Sequence, residues 1–388
     1  MMENIKKQIA QTFLELADGL ETGQFGGKAK IALTGLGSEH GEENTMKGAL
    51  MAAKRGIEVI YIGTKEAPEN SGVTTVFADC EEVMFNKMEE LLKDGTAQGA
   101  VAMHYPFPIG VSTVGRSVAP ASGKDFFIAN TTGTSSTDRV EGMVKNAIAG
   151  IITAKACGNC DPTVGLLNLD GTRQAEMILK ELKANGYEFS FAETARADGG
   201  AVMRGNDVLL GTPDVMVCDS LTGNVLTKMM AAGSSGGKYE TAGYGYGPGI
   251  GEGYEQLVLI ASRASGAPLL ANAIEFAAEL VKGDVFAIAA KEYEAANKAG
   301  LKKIFEERKA KEKQGGDDEE VAMPPKEVVT GQIAGVDVMD LEDAVKVLWK
   351  EKIYAEDGMG CTGPVIRVAE ANVEKAHKLL VEAGFCAK

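Results

Sequence analysis

Two polar turns near the middle of the chain hold side chains that suit the binding of an anion. The first turn comprises Asn168, Gly171, Thr172 and Arg173, and the second comprises Asp219, Thr222, Gly223 and Asn224, with Lys228 shortly after it. Arginine can hold a phosphate group through two parallel hydrogen bonds, and backbone N–H groups of a glycine-containing turn can donate to the same anion. These residue types predict a phosphate-binding site.

The elements around both turns follow the same order of strand, turn and helix. Apolar runs at 164–169 and 215–218 predict strands that are covered on both faces, and helical patterns follow at 174–185 and 225–232. Ligands bind α/β proteins where the carboxyl ends of parallel strands lead into helix N-termini. We therefore expect the two turns to form one binding edge of a parallel sheet.

These segments carry a specific resemblance. The run from Gly165 to Gln174 (GLLNLDGTRQ), and the run 213–228 (PDVMVCDSLTGNVLTK), resemble the phosphate acyltransferases of bacterial phospholipid synthesis, over roughly residues 28–283. Those enzymes exchange an acyl group between a carrier-protein thioester and inorganic phosphate. Over its full length, the chain resembles the alpha subunits of protein C of glycine, sarcosine and betaine reductase complexes. This implies the formation of acetyl phosphate from an enzyme-bound acetyl thioester.

The resemblance also implies partners and a fold. It implies a beta subunit similar to a ketoacyl synthase, a selenoprotein component, inorganic phosphate as substrate, and a homodimer of the core within a hetero-oligomer that serves amino-acid fermentation. No cofactor is expected. The implied fold is three-layer α/β/α with a mainly parallel sheet, of the isocitrate/isopropylmalate dehydrogenase type. Three alternatives remain: a non-catalytic scaffold subunit, an acyl-carrier-protein phosphate acyltransferase, and a decarboxylating dehydrogenase that lacks a convincing metal-binding set.

For acyl transfer, the residues of the two turns would have different roles. Asn168, Thr222 and Asn224 would hydrogen bond in the cleft, and Arg173 would bind phosphate, so Arg173→Ala should strongly reduce turnover. Asp219 would orient Arg173 or Lys228. The alternative for Asp219 and Asn224 is structural capping of a turn. Arg173 stands where the acyltransferases carry lysine, and arginine cannot donate a proton near neutral pH.

Two further residues are candidate phosphate ligands. His40 lies in a glycine-rich turn at 35–41, and the resemblance places such a loop near the active cleft. His40 also takes the place of the third glycine of a dinucleotide fingerprint, which argues against that fold. Arg116 lies in a segment, 111–118, that we expect to begin a helix. For both residues, the alternative to phosphate binding is a surface position without a functional role.

The cysteines leave several interpretations open. Cys157 and Cys160 form a C-x-x-C pair, for which we favour a structural role over zinc or redox chemistry, because no second pair or nearby histidine completes a zinc site. Cys361 lies among glycines and could relay an acyl group as a thioester. With only three histidines in the chain, a multi-histidine metal centre is not expected.

Composition restricts the environment. The 388 residues carry a net charge of −15, which argues against unassisted binding to nucleic acid or anionic membranes. No apolar run approaches the ~20 residues of a membrane span, and no signal peptide opens the sequence. Six cysteines without a secretion signal indicate reduced thiols and a cytoplasmic protein.

Changes in composition divide the chain into four parts. We expect an N-terminal helix in 1–27 that docks on the core or a partner, an acyltransferase-like core at 28–308, and an acidic linker at 309–330. A small α+β unit at 331–388, with a helix expected at 341–350, carries Cys361. A long charged helix is expected at 287–308, at the end of the core. Within the core, glycine occupies alternate positions of 243–253, which suits backbone that approaches a ligand closely.

Overall fold

The computed structural model describes residues 28–195, 199–314, 321–336, 340–360 and 363–386. The predicted N-terminal helix in 1–27 and Cys361 lie outside the described residues. The described part of the chain contains no helix that is long and apolar enough to cross a membrane.

One large sheet organises the core. Its strands are β1 (Lys30–Thr34), β2 (Glu58–Gly63), β3 (Val73–Phe77), β4 (Gly99–Ala102), β5 (Val111–Val118), β6 (Asp125–Thr134), β7 (Thr163–Leu167), β8 (Ser190–Phe191), β9 (Val202–Met203), β10 (Val215–Val217), β11 (Gly247–Ile250) and β12 (Val258–Ile260). They lie in the order β3-β2-β1-β4-β12-β11-β5-β6-β10-β7-β8, and β9 also pairs with β7. The sheet is mainly parallel, as predicted.

The sheet consists of two parallel halves that run in opposite directions. The first half is β3-β2-β1-β4-β12, and the second half is β6-β10-β7 with β8 and β9. Between them, the pairs β12–β11, β11–β5 and β5–β6 are all antiparallel. Three antiparallel steps reverse the chain direction. The carboxyl ends of the two halves therefore lie at opposite edges of the sheet.

Helices cover both faces of this sheet. They are α1 (Gly41–Ala53), α2 (Glu81–Lys93), α3 (Arg139–Ala156), α4 (Thr172–Ala184), α5 (Gly205–Leu210), α6 (Ser220–Gly233), α7 (Ala267–Lys282), α8 (Val285–Lys298) and α9 (Leu301–Gln314). The largest apolar cluster joins α1, α3, α4, α7 and α8 to one face. Two smaller clusters place α2 on the other face of the first half, and α5 and α6 on that of the second half. The core thus has three layers, α/β/α.

Two local predictions were wrong. Residues 111–118 form strand β5 rather than a helix, because valine and threonine fit a pleated surface that pairs with strands on both sides. The long helix expected over 287–308 is two helices, α8 and α9, separated at Gly300. Gly300 has φ +96°, a conformation that interrupts a helix. Helix α9 also continues past the expected start of the linker.

The C-terminal unit is a small α+β structure, as predicted. Its strands β13 (Gly331–Ala334), β14 (Ala355–Gly360) and β15 (Gly363–Val368) form an antiparallel sheet with β15 in the centre. Helices α10 (Leu341–Lys350) and α11 (Val373–Glu382) bury an apolar face against it, which gives the unit its own core. Its Asp340 accepts a hydrogen bond from Gln174 of α4, so the unit contacts the large domain.

Candidate active site

The two predicted strand–turn–helix units are neighbours. Val164 of β7 lies beside Val215 of β10 in parallel register, and the strands lead into α4 and α6. The expectation that both turns share one edge of a parallel sheet is confirmed. We call this the second-half edge, defined by residues 168–173, residues 219–222 and the N-terminus of α3 at Asp138.

Carboxylates of the chain itself cap two helices at the second-half edge. Asp138 accepts a hydrogen bond from the N–H of Glu141 at the start of α3, and Asp219 accepts one from the N–H of Thr222 at the start of α6, both at 2.7 Å. Such caps satisfy N–H groups and offset the positive end of the helix. They use the donors that a phosphate would need, so Asp219 has the capping role.

Helix α9 places two cationic side chains at this edge, and both form ion pairs with acidic residues. Arg308 donates to Asp138 at 2.6 Å, and Lys309 lies 2.8 Å from Glu141. Burial raises the pKa of the Asp138 carboxyl, but the hydrogen bonds from the N–H of Glu141 and from Arg308 outweigh burial and lower the pKa overall. Asp138 is therefore ionised at neutral pH and bound within the protein.

The residues of the first turn also make structural contacts within the protein. The Thr172 hydroxyl donates to the carbonyl of Leu167 at 2.6 Å and accepts from the N–H of Leu169 at 2.9 Å. Gly171 has φ +83°, which this turn requires. Arg173 donates to Glu176 at 3.1 Å, and Asn168 is exposed.

Arg173 lies beside the C-terminal unit. Burial raises the pKa of the Cys386 thiol in that unit, and the positive charge of Arg173 offsets part of this effect. Asp340 contacts Gln174, the residue after Arg173. The C-terminal unit therefore lies against the start of α4.

A cleft of ≈520 Å³ opens at the opposite edge, where β4 and β12 end. Its walls come from both halves of the sheet and from α6. The lining residues are Met103, His104, Tyr105, Thr132, Asn224, Lys228, Tyr246, Ile260, Ala261, Ser262 and Arg263. Of the residues predicted from the sequence, this cleft brings together Asn224 and Lys228.

Helix α6 connects the two edges. It begins at Asp219 on the second-half edge and packs against β6, where Gly223 permits contact because a Cβ there would lie 1.8 Å from the carbonyl oxygen of Asn130. The side-chain amide of the next residue, Asn224, donates to the carbonyl of Thr131 at 3.2 Å. Lys228 is eight residues beyond Ser220, so it lies about 12 Å along the helix from the second-half edge, and there it lines the cleft.

Lys228 is held by a buried acid. Its Nζ donates to Glu240 at 2.8 Å and to the Ser262 hydroxyl at 3.3 Å. Glu240 is 1% exposed and also accepts from the hydroxyls of Tyr246 at 3.3 Å and Ser265 at 3.2 Å. Burial and the nearby Glu240 raise the pKa of Tyr246, which keeps its hydroxyl protonated. One carboxylate thus fixes three side chains, those of Lys228, Tyr246 and Ser265.

Ser262 and Arg263 follow β12 and complete the polar wall. The Ser262 oxygen accepts from Lys228 and from the N–H of Ala264 at 3.1 Å, which leaves its proton for donation. Arg263 is half-exposed, and its guanidinium lies 4.0 Å from Glu81, so this pairing is weak. The arrangement offers an anion two cations and a hydroxyl donor.

The remaining candidates lie outside the cleft lining. His40 Nε2 is 3.2 Å from the carbonyl of Ala264, so His40 supports the loop of Ser262 from outside. Arg116 lies opposite Phe127 near the start of β6, at the other end of the second-half strands from Asp219. It pairs with Asp125 and Glu279, both at 2.7 Å, and stacks 4.1 Å from the centre of the Tyr244 ring. These contacts give Arg116 a structural role.

Cys157 of the cysteine pair is not an activated thiol. Cys157 is partly buried, and burial together with Glu279 raises its pKa to about 12, so it is a neutral thiol at physiological pH. Cys160 is exposed. Among the described residues, no three His, Cys, Asp or Glu side chains form a metal-binding cluster.

Sequence reasoning missed His104, Glu240, Ser262 and Arg263. A signal was present for two of them, because the apolar run that forms β12 leads into the polar turn 262–266 and then into α7. This is the same order of elements as in the two turns that were selected. Glu240 had no such signal, since its position depends on long-range contacts.

Comparison with known proteins places this site in a family. The profile described as "Fatty acid synthesis protein" matches residues 29–367. The chain is 57% identical to the glycine/sarcosine/betaine reductase complex component C subunit alpha of Peptoclostridium acidaminophilum, over 100% of both chains. It is 28% identical to a phosphate acyltransferase of Thermotoga maritima, over 52% of this chain and 68% of the relative.

A solved structure gives a more distant match. A branched-chain phosphotransacylase from Enterococcus faecalis V583 superposes with a TM-score of 0.47 and 18% identity, over 65% of this chain and 99% of that one. The sequence comparisons cover nearly the whole chain and include its C-terminal unit. The chain therefore belongs to the fatty acid synthesis protein family.

Proposed function

We propose that this protein transfers an acetyl group from an enzyme-bound thioester to inorganic phosphate, as a subunit of a glycine, sarcosine or betaine reductase complex. The observation that carries the proposal is the cleft in which Lys228, Ser262 and Arg263 converge. The similarity to a component C alpha subunit and to a phosphate acyltransferase supports the same reaction class. The proposed setting is cytoplasmic.

The reaction requires little beyond positioning and charge. A phosphate oxygen forms a bond to the carbonyl carbon of the thioester, and the carbonyl oxygen becomes an oxyanion. The carbon–sulfur bond then breaks, which releases acetyl phosphate and a thiolate that takes a proton from water. Phosphate is already an anion, so it needs no general base. The protein must hold two negative groups close together and stabilise the oxyanion.

Each side of the cleft has a role in this step. Arg263 presents a planar guanidinium that holds phosphate through two hydrogen bonds. Lys228 uses two of its three protons on Glu240 and Ser262, so one remains for the substrate. The Ser262 hydroxyl donates to the oxyanion, and its acidity is increased by the bonds that its oxygen accepts. Asn224 contributes an amide from α6.

The partners predicted from the sequence are part of this proposal. A beta subunit similar to a ketoacyl synthase would supply the acyl thioester, and a selenoprotein component would act before it. Cys361, which lies outside the described residues, would at most relay the acyl group. Asn168, Arg173 and Asp219 are not proposed as catalytic residues, since they form or cap the second-half edge.

Exchange of labelled phosphate tests the reaction. The full-length protein, with its acyl-carrying partner as thiol acceptor, should move ³²P from inorganic phosphate into acetyl phosphate, and arsenate should cause net loss of acetyl phosphate. Both reactions need reversible acyl transfer. If neither occurs in the intact complex, the scaffold alternative is correct and the proposed activity is wrong.

A further inference from the structure

The loop 262–266, which carries two of the proposed phosphate-binding groups, is held from outside the cleft by the segment 39–44 at the start of α1. Three consecutive carbonyl groups of the loop each lie within hydrogen-bonding distance of a donor in that segment. The contacts are Glu39 N–H to the carbonyl of Arg263 at 2.9 Å, His40 Nε2 to that of Ala264 at 3.2 Å, and the Asn44 side-chain amide to that of Ser265 at 2.9 Å. We refer to Glu39, His40 and Asn44 as the α1 clamp.

Asn44 uses both ends of its amide in this contact. While its nitrogen donates to Ser265, its Oδ1 accepts from the N–H of Ala267 at 2.8 Å, at the first residue of α7. The residue before α7 is Gly266, which has no side chain that could cap the helix. Asn44 therefore supplies the missing N-cap from another helix, and it joins the end of the loop to the start of α7.

Close packing of α1 on α7 fixes the position of Asn44. Gly48 follows Asn44 by four residues and so lies on the same face of α1. A Cβ at Gly48 would lie 2.8 Å from the Cβ of Leu270 in α7, so the two helices approach more closely here than a larger residue would permit. The reach of Asn44 to the loop therefore depends on the packing of two helices and not on a mobile side chain alone.

The direction of the loop carbonyls matters for an anion. The three residues of the α1 clamp lie outside the set that lines the cleft, so the carbonyl oxygens that they bind are turned away from it. A carbonyl oxygen carries a partial negative charge and would repel phosphate. The loop is thus left with the Ser262 hydroxyl and the Arg263 guanidinium as the groups that it offers to an anion.

We propose that Asn44 is a positioning residue for phosphate binding. It holds the loop 262–266 in the shape that directs Arg263 into the cleft, and His40 gives a second, weaker support. This inference rests on the proposed phosphate site and adds to it a residue that does not touch the substrate. The other side of the loop is held by Glu240, whose carbonyl accepts from the N–H of Gly266 at 2.8 Å, so loss of Asn44 should displace the loop without unfolding it.

Phosphate exchange by the full-length protein with its partner tests this role. Asn44→Ala should raise the Michaelis constant for phosphate about tenfold and change the turnover number less, because the guanidinium of Arg263 is displaced rather than removed. Asn272→Ala is the matched control. Asn272 also joins α7 to the end of α1, since its amide donates to the carbonyl of Gly243 at 3.0 Å and accepts from Arg55 at 2.9 Å. Both variants lose two hydrogen bonds and should lose similar stability, but the control should keep its Michaelis constant.

A double-variant cycle separates positioning from a general loss of structure. Arg263→Ala alone should slow exchange roughly 30-fold, whereas in the Asn44→Ala background it should add less than about threefold, because the displaced guanidinium already contributes little. In the Asn272→Ala background the full effect of Arg263→Ala should remain. Additive effects of Asn44→Ala and Arg263→Ala would contradict the proposal.

Chemical protection tests phosphate binding apart from acyl transfer. Inorganic phosphate should protect Arg263 from phenylglyoxal, as measured by mass spectrometry of the peptide that contains it. Half-protection should need about ten times more phosphate in Asn44→Ala and roughly three times more in His40→Ala, which removes an exposed side chain that folding does not require. Asn272→Ala should match the unsubstituted protein.

The outcomes distinguish this inference from the proposed reaction. Protection of Arg263 without phosphate exchange would contradict the acyl-transfer proposal and leave the role of Asn44 standing. Equal half-protection in Asn44→Ala, His40→Ala and Asn272→Ala would overturn the role of the α1 clamp, even if exchange occurs. Absence of protection in the unsubstituted protein would overturn it as well.

Discussion

The second-half edge and the cleft hold similar polar groups but differ in how those groups are neutralised. At the second-half edge, acids balance the cations, since Arg173 pairs with Glu176, Arg308 with Asp138 and Lys309 with Glu141. Carboxylates also cap the helix starts at Asp138 and Asp219. In the cleft, a single buried acid, Glu240, is shared among several donors, and Arg263 has one weak partner. We therefore expect an anion to gain little binding free energy at the second-half edge and more in the cleft.

This difference shows that the residue types at the end of a strand are not sufficient to identify an anion-binding site. The same aspartate that looks like a catalytic group can remove the helix terminus from use by capping it. A lysine in the middle of a helix can instead serve a site at the far end of that helix, as Lys228 does.

The largest expected effect comes from the cleft cations. Arg263→Ala or Lys228→Ala should slow phosphate exchange by roughly 30-fold or more, because a charged contact to phosphate is lost in a partly enclosed site. Arg173→Ala is the matched control at the second-half edge and should change the rate less than about threefold. Exchange rates under saturating acetyl phosphate decide this, and a stronger effect from Arg173→Ala would reverse the assignment.

Glu240→Gln should have the next largest effect. The amide keeps the size of the side chain but loses the charge that holds Lys228, so the rate should fall about tenfold. The Michaelis constant for phosphate and the turnover number should be measured separately. If Glu240 only maintained stability, thermal unfolding would shift while both kinetic constants stayed the same.

Asp219→Ala should affect stability and spare catalysis. Removal of an N-cap typically costs about 0.5–2 kcal/mol of folding free energy. Denaturant unfolding should show this loss, while phosphate exchange at a temperature well below unfolding should be nearly unchanged. Asp219→Asn, which retains a capping oxygen, should recover most of the stability. A large loss of activity in the folded variant would return Asp219 to the active site.

The smallest expected effect is a change in the pH dependence of stability. The pKa of Asp138 is lowered in the folded protein, so its stabilising contribution is complete above the unfolded value of about 3.9. It is lost as the pH falls through the lower folded value. Asp138→Asn should therefore reduce the melting temperature at pH 7 and converge with the unsubstituted protein in strong acid. Parallel curves over the whole range would show that the Arg308 pair does not contribute.

Part of this architecture could be predicted from the sequence. Apolar runs of strand length before polar turns and helices predicted β7 and β10 as strands of one parallel sheet, and the family resemblance implied the three-layer core. Those signals are local, since they depend on residue periodicity and turn chemistry. The same local rules also predicted α10 in the C-terminal unit with the bounds that the structure shows. Asn224 and Lys228, which the sequence suggested as site residues, line the cleft.

The position of this cleft in the fold was decided only by the tertiary structure. Three antiparallel pairings between the halves of the sheet reverse its direction, so the carboxyl ends of β7 and β12 lie at opposite edges. No local pattern encodes that count of reversals, because it depends on which strands pair across long separations. The contact of Glu240 with Lys228 has the same origin, since twelve residues and a glycine-rich turn separate them in the chain. The local sequence determined the strands, the helices and the polar residues at their ends. Long-range strand pairing determined which of these ends lie close together.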